Sequence, residues 1–172
     1  MNIPNILTVI RIILVGVFVY VFKITKNYPL AIAIFVIAGI TDLLDGYIAR
    51  KYNMISDLGK LLDPLADKLM LVAALYCLVS EKFLHPAFLI IVAAKELAMI
   101  IGAFLFYRKD VVVYSKFMGK AASFLFNVGI VLTFFDSLFP FNVIVLCIAI
   151  IFAIAAMIEY LVSFKKQYRN SK

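Results

Sequence analysis

Asp42, Asp45, Asp63 and Asp67 are four of the ten acidic residues in the chain, and they fall within one short stretch. Asp42 and Asp45 are three apart and Asp63 and Asp67 four apart, spacings that put each pair on a single helix face. A short turn around Ser56 to Gly59 is expected to make the two helices antiparallel neighbours, so that four carboxylates surround one small volume. Like charges in such a place repel one another and resist desolvation, so a cation must offset them. Carboxylate oxygens with no His or Cys beside them suit hard ions such as Mg²⁺, Mn²⁺ or Ca²⁺. Four of them can hold two divalent ions side by side, the arrangement that clamps attacking and leaving oxygens in phosphoryl displacement. Gly46 and Gly59 let a ligand or a neighbouring helix approach the backbone. Ala49 adds a small position, and Arg50 adds a planar fork of donors suited to a phosphate.

Each feature also has a plainer reading. Asp63 before Pro64 fits a helix N-cap with proline at the first helical position. Asp42 fits an interfacial acid reaching water, and the glycines fit close helix packing. What the plain readings leave unexplained is the joint spacing.

The elements that must position these residues are apolar throughout. Of the 172 residues, 66% are hydrophobic and 16% charged, against roughly 45–50% and about 25% in soluble domains. Crossing roughly 30 Å of hydrocarbon takes about 20 residues, and apolar runs of that kind fill the chain. The expected spans are Ile12 (or Ile6) to Phe22, Pro29 into the charged segment ending at Arg50, Leu61 to Val79, Pro86 to Tyr107, Lys120 to Phe135, and Phe141 to Phe164. This is an all-α fold, a single membrane domain over 1–172 with six transmembrane helices in a bundle, because backbone exposed to lipid must satisfy its own hydrogen bonds. The first span has no basic segment before it, is interrupted by Arg11 and is followed by no A-x-A site, so it is expected to be retained.

Basic residues gather at one set of ends: Arg50, Lys51 and Lys60; Arg108, Lys109, Lys116 and Lys120; Lys165, Lys166, Arg169 and Lys172. Against them stand Lys23, Lys26 and Lys82. By the positive-inside rule both termini and the aspartates face the cytoplasm. The net charge of +7 then points to lipid headgroups and an anionic substrate rather than nucleic acid. Cys77 and Cys147 lie in apolar runs without metal-ligand spacing and are expected to be small core residues.

The pattern Asp42-x2-Asp45-Gly46-x2-Ala49-Arg50-x8-Gly59-x3-Asp63-x3-Asp67 resembles the signature of the CDP-alcohol phosphotransferase family, with every specified position filled. The opening Met1-Asn2-Ile3-Pro4-Asn5-Ile6-Leu7-Thr8 with Arg11, and the run from Gly59 to Lys68, are similar to bacterial phosphatidylglycerophosphate synthases. The resemblance implies a homodimeric inner-membrane enzyme that binds CDP-diacylglycerol and two divalent ions, Mg²⁺ or Mn²⁺. It implies that Asp42, Asp45, Asp63 and Asp67 ligate metal and that Asp67 is also the general base. Asp42, Gly46, Arg50, Ser56 and Thr8 would line the CDP site.

For the acceptor, the resemblance implies glycerol 3-phosphate, whose phosphate needs cations. Arg11, Lys95, Arg108, Lys116 and Lys120 are the candidates, although Arg108 and Lys116 also serve as topology charges. Lys95 and Glu96 interrupt an apolar run, so either one faces the cavity, or the two form a buried pair or an interfacial snorkel. Lys95-Glu96 is similar to an Arg-Glu in these synthases. Ala103 stands where they often carry an arginine, and the residues after Gly119-Lys120 follow theirs loosely. A cardiolipin synthase of the same family, with phosphatidylglycerol as acceptor, and an inositol phosphate transferase are the alternatives. A divalent-cation transporter is a rival of another class, but the chain shows no inverted repeat or interrupted midplane helices.

Overall fold

The computed structural model describes residues 3–51, 57–107 and 117–170. Among them there are six α-helices and no strand: α1 Ile3–Tyr20, α2 Tyr28–Lys51, α3 Asp57–Ser80, α4 Pro86–Tyr107, α5 Phe117–Thr133 and α6 Phe141–Asn170. A π-helical turn, Val21–Thr25, prolongs α1. Among the described residues two segments are both long and apolar enough to cross a membrane, Ile6–Thr25 and Phe141–Glu159, with mean hydropathies of 2.3 and 2.9. The chain divides into two compact units, residues 1–84 and 85–172.

In the first unit α1 packs against both α2 and α3, which also touch each other, at fewer points among the described residues. The helix α1 therefore leans on both of the helices that carry the aspartates. The reason lies in its buried stripe of Thr8, Arg11, Phe18, Val21 and Phe22. This near-helical period places one continuous contact face on the helix. On α2 the matching stripe is Ala31, Ile34, Phe35 and Ala38; on α3 it is Ala66, Met70, Ala74, Cys77 and Leu78. Small residues on these stripes let the backbones come close. At one end the rings of Phe18, Phe22, Phe35, Tyr28 and Phe83 interlock at centroid distances of 5.1–6.5 Å, within the range where tilted and edge-on pairs attract.

Local chemistry sets the helix starts. Asn27 Oδ1 accepts from the Leu30 amide at 3.1 Å, capping α2. His85 Nδ1 accepts from the Ala87 amide at 3.2 Å ahead of Pro86 at the first position of α4. The third helix starts earlier than its apolar run suggests, at Asp57 rather than Leu61. An acid at the first position favours that start through the helix dipole. Gly59 is therefore inside α3 rather than in a turn. Asp63 is likewise interior and does not cap the helix, and Pro64 lies where its missing amide deprives the Lys60 carbonyl of its helical partner.

In the second unit α5 and α6 pack along each other. A Cβ added at Gly129 would lie 2.6 Å from Leu146 Cδ2, so the absence of a side chain there permits the approach. The fifth helix ends at Thr133 because the chain tightens, Phe134 and Phe135 donating to the carbonyls of Val131 and Leu132 at 3.2 and 3.1 Å. The sixth runs to Asn170, beyond Phe164, and takes in Lys165, Lys166 and Arg169, cations that suit a helix C-terminus. Both cysteines are free. Cys77 is buried as expected, but Cys147 is exposed on the outward face of α6 with Ile144, Ile148, Ile151 and Ile154. An apolar run marks a packed face and an exposed face identically, and Cys147 falls on the exposed one.

Candidate active site

The contact stripes of the first unit change character along their length. On α1 the phenylalanines give way to Arg11 and Thr8, both fully buried. On α2 the stripe 31, 34, 35, 38 continues at helical spacing into positions 42 and 45. On α3 positions 63 and 67 flank Ala66, which is fully buried. The chemistry-bearing residues are thus the polar continuation of the faces that pack the helices.

Two contacts fix the levels. Phe18 meets Phe35 at 6.0 Å between ring centroids, and Arg11 Nη1 donates to Asp42 Oδ1 at 2.5 Å, seven residues back on one helix and seven forward on the other. The helices α1 and α2 therefore run antiparallel in constant register. Lys23 meets Ser80 and Glu81, 57 and 58 residues on. At about 1.5 Å rise per residue, carrying that offset back along parallel helices puts Asp67 level with Val9 and Ile10, within a turn of Thr8 and Arg11. Asp42 and Asp67 thus share one level on two helices that both lean on α1.

Asp42 is 38% exposed while Arg11 is 1% exposed. The pair presents its carboxylate outward and keeps its guanidinium inside. A carboxylate offers about four acceptor positions, so the bond to Arg11 does not consume its capacity. Asp67 is partly buried. Asp45, Gly46, Arg50 and Asp63 are placed in α2 and α3 by their backbones, but their side chains lie outside the described residues, as does Ser56 altogether. Among the described residues no group of three or more His, Cys, Asp or Glu forms a metal cluster; the side chains of Asp45 and Asp63 are not among those described. The donor set itself fits a hard divalent ion: Asp42 and Asp67 offer oxygen alone, and Cys77 lies almost three turns beyond Asp67 on α3.

The acceptor candidates divide. Arg11 belongs to the first unit and is bonded to Asp42. Lys95 and Lys120 belong to the second. Lys95 Nζ donates to Glu96 Oε1 at 2.5 Å, with side chains 17% and 8% exposed, so the two residues pair with each other. Lys120 is exposed on α5. Arg108 and Lys116 lie outside the described residues. Sequence reasoning missed the contact between Arg11 and Asp42, 31 residues apart; the signal available was an arginine at helical spacing with Thr8 and Phe18.

Residues 1–155 match the CDP-alcohol phosphatidyltransferase family, and the chain belongs to it. Members of this family are generally divalent-cation dependent. Among similar proteins, one from Pseudomonas fluorescens is 46% identical over 47% of this chain and 43% of its own length. One from Aquifex aeolicus is 36% identical over 76% of each chain. One from Bacillus subtilis is 30% identical over 99% of this chain and 97% of its own. All three are named CDP-diacylglycerol–glycerol-3-phosphate 3-phosphatidyltransferase. The match with the Pseudomonas protein spans less than half of that relative.

Proposed function

We propose that this chain transfers a phosphatidyl group from CDP-diacylglycerol to a hydroxyl of glycerol 3-phosphate and releases CMP. The observation that carries the reading is the complete pattern from Asp42 to Asp67 on two helices that α1 levels against each other. The names of relatives aligned over most or nearly all of the chain support the same acceptor.

In this reading Asp42, Asp45, Asp63 and Asp67 hold two divalent ions, Mg²⁺ or Mn²⁺. Bound there, the ions supply the positive charge that a diphosphate in a poorly solvated site requires. Thr8, Gly46, Arg50 and Ser56 line the CDP group together with Asp42. Asp67 accepts the proton of the acceptor hydroxyl, whose oxygen bonds to the β-phosphorus as the bond to the CMP oxygen breaks. Positioning and charge stabilisation carry the rate, since phosphoryl transfer leaves a protein little covalent work. Lys95, Arg108, Lys116 and Lys120 are the cations offered to the acceptor's phosphate.

The setting is a cell membrane crossed by all six helices, with both termini and the aspartates cytoplasmic, and with a second copy of the chain as partner. Helix length and hydropathy support the crossing for Ile6–Thr25 and Phe141–Glu159, and the shorter apolar stretches Tyr28–Asp42 and Met118–Thr133 accompany them. The loop charges support the orientation.

The test is CMP release by purified protein given CDP-diacylglycerol and one acceptor at a time. Release with glycerol 3-phosphate is the expected result. Release only with phosphatidylglycerol would make the chain a cardiolipin synthase, and release only with inositol phosphate would make it the corresponding transferase. Divalent-ion uptake into proteoliposomes without CMP release would replace the enzyme by a transporter.

A further inference from the structure

Among the described residues Arg11 is the largest fully buried side chain and the only charged one of them. A guanidinium in that position is costly unless a partner offsets it, and its bond to Asp42 Oδ1 provides one. Every aspartate of the proposed metal site comes from α2 or α3, and α1, the helix that both of these pack against, contributes none. What α1 contributes at that level is a cation fixed to one of the aspartates.

The geometry points to Arg11 as a positioning residue: it orients the Asp42 carboxylate for a divalent ion and touches neither that ion nor the substrate. The inference rests on the reading of the aspartates as metal ligands and deepens it. One observation separates this role from capture of the acceptor's phosphate. Arg11 is 1% exposed while Asp42 is 38% exposed, so a ligand from solution meets the carboxylate first. An arginine suits the task better than a lysine, because its planar donors define a direction as well as a charge. With Asp42 tied to α1, one ligand is set before any ion arrives, and four neighbouring carboxylates are partly compensated without one.

The sign of the effect on metal affinity decides the matter. A mere counterion would repel the incoming ion, and its removal would tighten binding. A positioning residue works the other way: partners that orient metal ligands commonly change affinity 10–100-fold when lost.

The experiment titrates Mn²⁺ alone into the full-length protein in detergent and follows free Mn²⁺ by electron paramagnetic resonance, for wild type, Arg11→Lys and Arg11→Met. The expected result is Mn²⁺ binding weakened about tenfold or more in Arg11→Met. Arg11→Lys, which keeps a buried cation and so guards against a misfolded Met variant, should fall between Met and wild type. The KM for glycerol 3-phosphate at saturating Mn²⁺ should be unchanged in both. Unchanged or tighter Mn²⁺ binding in either folded variant overturns the inference, as does a raised KM with normal Mn²⁺ binding. Failure of the wild type to bind Mn²⁺ would instead remove the metal site itself, and the role of Arg11 with it.

Discussion

Lys23, in the π-helical turn after α1, donates to Glu81, just past α3, at 3.1 Å, while Lys26 reaches the other oxygen of the same carboxylate at 3.2 Å. Lys23 also donates to Ser80 Oγ at 2.7 Å. A π turn offsets the helical register by one residue, and here it accompanies a lysine that ties the far end of α1 to α3. The hydrogen bonds from Lys23 and then Lys26 hold the Glu81 carboxyl below its ordinary range. A depressed value in the folded state means stabilisation that is present above the ordinary carboxylate range, near pH 4.3, and lost as pH falls through the folded value. Glu81→Gln should therefore lower the thermal midpoint in detergent at pH 7, and the gap from wild type should close on acidification below about pH 4. A gap independent of pH would count against the charge-based account.

Gly129 and Leu146 set a second prediction, in the other unit. A Cβ at 129 would lie 2.6 Å from Leu146 Cδ2 and 2.7 Å from its Cγ, and Leu146 is fully buried. Overpacking costs about 1–3 kcal/mol, which exceeds or matches the roughly 1 kcal/mol that alanine gains over glycine in a helix. Gly129→Ala should lower the unfolding midpoint, and Gly129→Val should lower it further. Leu146→Ala alone leaves a cavity, at a cost of about 2–5 kcal/mol. The double variant Gly129→Ala/Leu146→Ala should be more stable than Leu146→Ala, because the new methyl enters the space vacated. Additive losses would mean that the two residues do not meet.

How much of this was legible in the sequence follows from what each residue's neighbours have in common. The placement of Asp42 and Asp45 on one helix and of Asp63 and Asp67 on the next was legible, because their spacing is local and a helix converts local spacing into a shared face without help from the rest of the fold. Pro86 likewise marked the start of α4, since a proline there has no amide to lose. The start of α3 was not legible: Asp63-Pro64 mimics a helix opening, and only the preceding turns, beginning at Asp57, show that the helix is already under way. Cys147 was misread because hydropathy is the same on both sides of a helix in an apolar setting. The partnership of Arg11 with Asp42 depends on antiparallel register between α1 and α2, a tertiary property that no local pattern contains.

Asp67 carries the next prediction. It sits beside Ala66, which is fully buried, at the level of Arg11, and it is proposed to take the acceptor's proton as well as to bind metal. Asparagine has the same shape but cannot accept that proton as a carboxylate does. Asp67→Asn should therefore reduce CMP release by 10²-fold or more, the usual scale for a lost general base. The protein should still elute as the wild type does from a sizing column in detergent. Turnover near wild type would take Asp67 out of the mechanism.

Dependence on the ion gives the last prediction, and its logic comes from charge alone. In the proposed site four carboxylates would repel each other, and a diphosphate brought among them would add to the repulsion. Arg11 and Arg50 cannot offset so much negative charge by themselves. Chelation by EDTA should accordingly abolish CMP release, and Mg²⁺ or Mn²⁺ should restore it. Zn²⁺, which favours nitrogen and sulfur ligands in tetrahedral sites, should restore it poorly. Chelation should also weaken binding of CDP-diacylglycerol itself, because the repulsion acts before any bond is made. Full turnover in EDTA would mean that the chain neutralises the diphosphate with its own cations, and the aspartates would then need another purpose.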